Sequence, residues 1–126
     1  MPQTEIRMFR SGKGEVPVTK FLSDLRSRFP KAYGKVLAGI DELSRNGNQI
    51  RRPLGAYLRD GIFELRIRLS KINYRLLYAF NGQNIAVLTH GFTKKDVVPP
   101  AQIETAMQMM TLVRENPTKY TADFHF

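Results

Sequence analysis

The chain has 126 residues, no cysteine, a hydrophobic fraction of 42% and twenty Lys/Arg against eleven Asp/Glu, a net charge of +9. That length suits one domain spanning residues 1–126, and the lack of cysteine excludes a disulfide framework, a thiolate nucleophile and a cysteine zinc site, in keeping with a reducing cytoplasm. No signal-peptide core opens the chain and no apolar run approaches the ~20 residues of a membrane helix, so a cytoplasmic protein without membrane attachment is expected, and the charge favours a polyanionic partner.

Residues 5–10, EIRMFR, read as a short strand in which Ile6 and Met8 alternate with Arg7 and Phe9. SGKGEVP is turn chemistry, two glycines and a proline. From Pro17 the period becomes helical: Val18, Phe21, Leu22, Leu25 and Phe29 fall on one stripe, and Pro30 ends that helix or opens the next. A second stripe follows at Tyr33, Val36, Leu37, Ile40 and Leu43, closed by RNGN, where Gly47 can take a left-handed cap. The two helices predict a helical hairpin laid on an apolar surface.

That surface comes next in the chain. Asp60-Gly61 is a hairpin signal between two strands, and on the second Phe63, Leu65, Ile67 and Leu69 alternate with Glu64, Arg66 and Arg68. INYRLLYAF, an Asn81-Gly82 turn and NIAVLTHGF add two more strands. A last helix is expected from about Pro100 to Asn116, with Ile103, Ala106, Met107, Met110 and Val113 on its core side and Pro117 beyond it. The tail TKYTADFHF carries three aromatic residues and is expected to dock, although no element is assigned to it. The order β-α-α-β-β-β-β-α gives an α+β fold: a small antiparallel sheet with the N-terminal helical hairpin on one face and a C-terminal helix.

Charge is concentrated. Residues 51–95 hold nine Lys/Arg (51, 52, 59, 66, 68, 71, 75, 94 and 95) and two acids (60 and 64), so this stretch carries +7 of the +9. A solvated, solubilising face is the bland reading of a charge run, but concentration in one segment favours a binding face. With the aromatic row Tyr74, Leu76, Tyr78 and Phe80 turned to the helices, Arg75 joins Arg66 and Arg68 on an open opposite face, and Lys94 and Lys95 arrive at the end of the last strand. Guanidinium forks and ammonium groups so placed suit a phosphodiester. His90 and His125 stand apart and the acids are scattered, so no metal-ligand cluster is visible; neither metal nor cofactor is expected.

The segments LRDGIFELRIR, NYRLLYAF and LTHGFTKKDVVPPAQIETA resemble the RelE/HigB superfamily of type II toxins, in particular its phage-derived HigB-like branch. The resemblance covers about residues 50–110 by motif and the upstream helix pair by order. It implies a RelE-like fold and the toxin of a type II toxin–antitoxin system, a ribosome-dependent endoribonuclease that cuts messenger RNA and inhibits translation. It also implies a hetero-oligomer with a cognate antitoxin, a helix-turn-helix protein encoded adjacently. In such a reaction the RNA 2′-hydroxyl attacks the neighbouring phosphorus. The protein helps the proton leave, stabilises the phosphoryl oxygens and protonates the departing 5′-oxygen.

By that resemblance Arg75 falls at the phosphate-stabilising arginine, Arg66 at a strand lysine implicated in proton removal, and Lys95 at a basic residue near the leaving group. Lys94, Arg68, Lys71, Phe92, Arg51 and Arg52 become RNA-binding candidates. An arginine is a poor proton acceptor, so the base role passes to Glu64 or His90, or to groups of the ribosome. Glu64, where the RelE branch is basic, could instead neutralise Arg66 or pair with Arg68. His90 has a structural reading beside the catalytic one, and Phe92 a core reading beside the base-stacking one; Tyr120 is the other stacking candidate. Two other classes remain: a ParE-like gyrase-inhibiting toxin and a non-catalytic nucleic-acid-binding module.

Overall fold

The computed structural model describes residues 3–50, 54–93 and 97–126. Strand β1 (Glu5–Phe9) buries Ile6 and Met8. After the SGKGEVP turn, Pro17 occupies the first turn of helix α1 (Pro17–Arg28), where its missing N–H costs nothing. Val18, Leu22 and Leu25 make the buried stripe of α1, and Ala32, Val36, Gly39, Ile40 and Leu43 that of α2 (Pro30–Asn46). Phe29 departs from its expected place in the α1 stripe and is 43% exposed. The residue before a proline is disfavoured in the helical region; Phe29 sits at φ −139°, ψ 69°, and the chain turns there instead of completing α1.

A 3-10 turn (Gly47–Gln49) leads to strands β2 (Gly55–Arg59), β3 (Ile62–Leu69), β4 (Ile72–Phe80) and β5 (Ile85–Thr93). Both tight hairpins put their two central residues at positive φ, as the twist of paired strands favours: Asp60 and Gly61, then Ser70 and Lys71. The first was legible from its glycine; the second uses two residues that rarely adopt that conformation. Helices α3 (Pro100–Glu115) and α4 (Pro117–Tyr120) and strand β6 (Thr121–Asp123) complete the fold.

The sheet order is β2-β3-β4-β5-β1-β6. All neighbours are antiparallel except β1 and β5, which run parallel. A hairpin cannot join two parallel strands, and α1, α2 and three strands intervene between them. The docking of the tail is β6 pairing with β1, Phe9 opposite Thr121 and Arg7 opposite Asp123. Arg7 holds it: Nε donates to Thr121 Oγ1 at 2.7 Å, and Nη1 pairs with Glu5 and Asp123.

Alternation then sorts the side chains. Leu65, Ile67, Tyr74, Leu76, Tyr78, Ala86 and Leu88 face α1 and α2 in one core cluster. Burial pushes the pKa of the Tyr78 hydroxyl up to about 12. On the other face Leu77, Ala79 and Val87 meet Ile103, Ala106, Met110 and Val113 of α3 in a second cluster. This corrects the expectation of an open basic face, because α3 packs over part of it. The reason lies in both partners: β4 and β5 are apolar on that face too, and the apolar stripe of α3 gains about 1.5–3 kcal/mol for each large side chain it removes from water.

Candidate functional site

The register of β3, β4 and β5 brings the candidate residues into rows across the second face. Arg66 lies opposite Arg75, and Arg75 opposite Phe92, so three of the candidates form one row. The adjacent row is Glu64, Leu77 and His90. On the other side, Arg68 lies opposite Asn73.

His90 reaches this face only because β5 carries a bulge. Leu77 pairs with His90 while Tyr78 pairs with Leu88, which leaves Thr89 as the extra residue. Strict alternation would have put His90 with Ala86 and Leu88 on the α1/α2 side; the bulge reverses the strand and re-aims the ring. It also sends Gly91 towards α1. A Cβ on Gly91 would stand 2.5–2.7 Å from the ring of Phe21, so only glycine permits this approach.

Both nitrogens of His90 are engaged. Nε2 is 2.7 Å from Oε1 of Gln102, on the first turns of α3. Nδ1 is 3.2 Å from the hydroxyl of Thr89, whose other partner is the Leu77 carbonyl at 3.1 Å. Gln102 Oε1 can only accept, so Nε2 carries the hydrogen, and the single proton of the Thr89 hydroxyl goes either to the Leu77 carbonyl or to Nδ1. Burial lowers the pKa of His90 below 6.5, and the Gln102 contact opposes it only in part, so the ring is neutral at pH 7. Phe92 stacks on it, centroids 5.6 Å apart and planes inclined by 29°. Half-buried against the second core, Phe92 serves packing first.

The row of arginines has an uneven environment. Arg75 is 3% exposed, and its Nη1 donates to Glu64 Oε2 at 2.7 Å, with Glu64 equally buried. Of the two partners considered for Glu64, Arg66 and Arg68, neither is the one it takes. Two like charges facing each other across β3 and β4 repel, and the carboxylate diagonal to Arg75 offsets one of them. Arg66 is half-buried and Arg68 exposed. Lys71 is exposed on the β3–β4 turn at φ 68°. Tyr120, in α4, is half-buried against the second core with Lys119 over its ring at 5.2 Å. Arg51, Arg52, Lys94 and Lys95 lie outside the described residues.

Sequence reasoning missed Gln102, Thr89 and Asn73. Asn73 is buried within NYR, and its place opposite Arg68 depends on register. Gln102 gave only the faint signal of a polar residue beside the apolar stripe of α3.

The arrangement supplies guanidinium groups, an aromatic face and a carboxylate, a set suited to holding a phosphate and a base. A family model described as Phage derived protein Gp49-like matches residues 23–111. The matched stretch runs from within α1 to within α3 and contains every candidate residue named above except Tyr120. No curated protein matches the chain.

Proposed function

The chain belongs to the phage-derived Gp49-like family, which is of RelE/HigB-like toxin type, and from that premise we propose that it is the toxin of a type II toxin–antitoxin pair that cleaves messenger RNA on the ribosome. The observation that carries the proposal is the cross-strand row of Arg66, Arg75 and Phe92. Its two guanidiniums and one ring match what a scissile phosphate and its neighbouring base require.

In this reading the RNA 2′-hydroxyl is the nucleophile. Arg75 stabilises charge on the phosphoryl oxygens once it exchanges Glu64 for phosphate. The carboxylate released by that exchange is then the base nearest to hand, while Arg66, which stays protonated, binds phosphate. Lys95 protonates or stabilises the departing 5′-oxygen and Lys94 grips the strand. His90, with both nitrogens engaged by Gln102 and Thr89, holds Phe92 in place and transfers no proton.

The enclosure of Arg75 favours a second reading, a nucleic-acid-binding module without cleavage, because a 3% exposed guanidinium must be uncovered before it touches phosphate. Pulse labelling of protein and DNA synthesis after induction decides between classes. Loss of protein synthesis with message cut in the ribosomal A site supports the toxin reading. Loss of DNA synthesis with intact message moves the protein to the gyrase-inhibiting class. Arrest of neither overturns both and leaves the binding module.

A cytoplasm rich in RNA would occupy the +7 segment non-specifically, so the toxin reading includes an antitoxin, encoded adjacently, whose acidic segment covers that segment. Complex formation is expected to be fast and slowed by salt.

A further inference from the structure

Five arginines among the described residues form ion pairs with acids: Arg7, Arg28, Arg45, Arg59 and Arg75. Arg66, Arg68 and Lys35 pair with no acid among the described residues, and they converge. All three line one cleft of about 580 Å³ between helix α2 and the end of β3, with Asn73 at its wall. Lys35 comes from α2, and nothing in the sequence pattern marked it; it is one of several exposed lysines along the helical hairpin.

The acid that lines the cleft is already engaged. Glu42 accepts from Arg45 Nη2 at 2.8 Å with one carboxylate oxygen and from Asn46 Nδ2 at 2.7 Å with the other. The cleft exists because α2 comes close to β3 at Gly39, where a Cβ would stand 3.1 Å from Ile67 Cδ1; the two elements thus bring their cations to the same opening. Three like charges gathered at one opening repel one another, and a bound polyanion relieves that repulsion.

Arg66 belongs to two places at once. By register it faces Arg75 in the arginine row, and it also lines the cleft. We infer that the cleft is a second phosphate subsite for single-stranded RNA, in which Lys35, Arg66 and Arg68 hold a backbone phosphate flanking the one presented to Arg75. The strand crosses from the sheet face around the end of β3 towards α2. Lys35 is a binding and positioning residue here, remote from the bond that breaks. The inference rests on the proposed reading of the protein as one that handles RNA.

The test separates binding from cleavage. The probe is a fluorescent 2′-O-methyl oligoribonucleotide of about twelve nucleotides, which lacks the attacking hydroxyl, and binding is read by anisotropy over a salt series. Lys35→Ala is expected to weaken binding on the order of fivefold and to lower the slope of log affinity against log salt by about 0.7, the contribution of one phosphate contact on a single strand. Lys35→Glu is expected to weaken it further. Lys13→Ala, which removes an exposed lysine from the turn before α1, serves as the charge control and is expected to leave both quantities near wild type. Circular dichroism of each variant checks the fold.

If Lys35→Ala and Lys13→Ala behave alike, or if the wild-type protein does not bind the probe, the subsite is wrong. Should binding depend on Lys35 in a protein that never cuts message, the subsite stands and the cleavage reading falls. Normal cleavage with binding indifferent to Lys35 overturns the subsite and leaves the cleavage reading in place.

Discussion

Arg75 donates to Glu64 across 2.7 Å in a region where each is 3% exposed. Such a pair contributes little net stability over an apolar pair of the same shape, because both charges were taken from water, but breaking it is costly. Glu64→Gln should therefore destabilise the fold by about 3–5 kcal/mol by removing the carboxylate to which Arg75 Nη1 donates. Glu64→Leu combined with Arg75→Leu should recover most of that loss. Urea denaturation of the single and double variants measures both; a double variant no more stable than Glu64→Gln would contradict the account.

The Gln102–His90 contact gives a pH dependence whose sign follows from burial. The folded state lowers the pKa of His90 below 6.5, so the unfolded chain takes up its proton first as pH falls. Stability associated with His90 is full above about 6.5, declines as the pH drops from there to the lowered value, and is flat below it. The His90 imidazole should titrate in NMR below 6.5, and His90→Leu should flatten the acid limb of the urea midpoint. A titration midpoint at or above 6.5 would refute the assignment.

Gly91 is held by geometry and not by flexibility. The ring of Phe21 occupies the space a Cβ would need, so Gly91→Ala should cost about 1–3 kcal/mol by overpacking. Phe21→Leu should relieve part of the clash, making the double variant less destabilised than the sum of the singles. Simple additivity in thermal or urea unfolding would show that the contact is not the cause.

The two lysines after β5 should differ in kind. On the proposed toxin reading, Lys95→Ala is expected to slow cleavage of ribosome-bound message on the order of a hundredfold to a thousandfold at saturating protein, the usual loss of one charge-stabilising donor. Lys94→Ala should weaken binding and its salt dependence while leaving the saturated rate nearly unchanged. Equal, wild-type rates for both would confine the chemistry to Glu64, Arg66 and Arg75.

Local period carried much of the fold. Pro17, Pro30 and Pro100 each open a helix, and the apolar stripes of α1, α2 and α3 face the core, with Phe21, Tyr33, Leu37 and Met107 half-buried at their margins and Phe29 exposed. The Asp60-Gly61 turn marked the joint between β2 and β3. The turn that sets Arg66 against Arg75 is Ser70-Lys71, which carries no glycine to announce it. Relations between distant segments lay further from reach of local pattern. A bulge at Thr89 has no residue signature, yet it decides which face His90 takes. The three-residue strand β6 is too short for a period and exists through its pairing with β1. The choice of Arg75 by Glu64 depends on depth of burial, which alternation does not rank.

The parallel pairing of β1 with β5 orders events in time. Glu5 must find Ile85, far along the chain, whereas β3 finds β4 and β4 finds β5 across short turns. Closing the longer loop costs on the order of 3 kcal/mol more entropy than closing a tight turn. The meander β2–β5 can therefore form while the first strand is still a free end, and β1 enters late, after the segment that builds the arginine row is already paired. Hydrogen exchange during refolding should protect the Leu76 amide, in β4, before those of Glu5 and Arg7, which face β5 across the parallel pair. The amide pattern reversed, with β1 protected first, would mean that the sheet grows from its parallel pair. A nascent chain would on this order carry its basic row assembled before its first strand is in place, so a partner could meet that row during synthesis and not only after it.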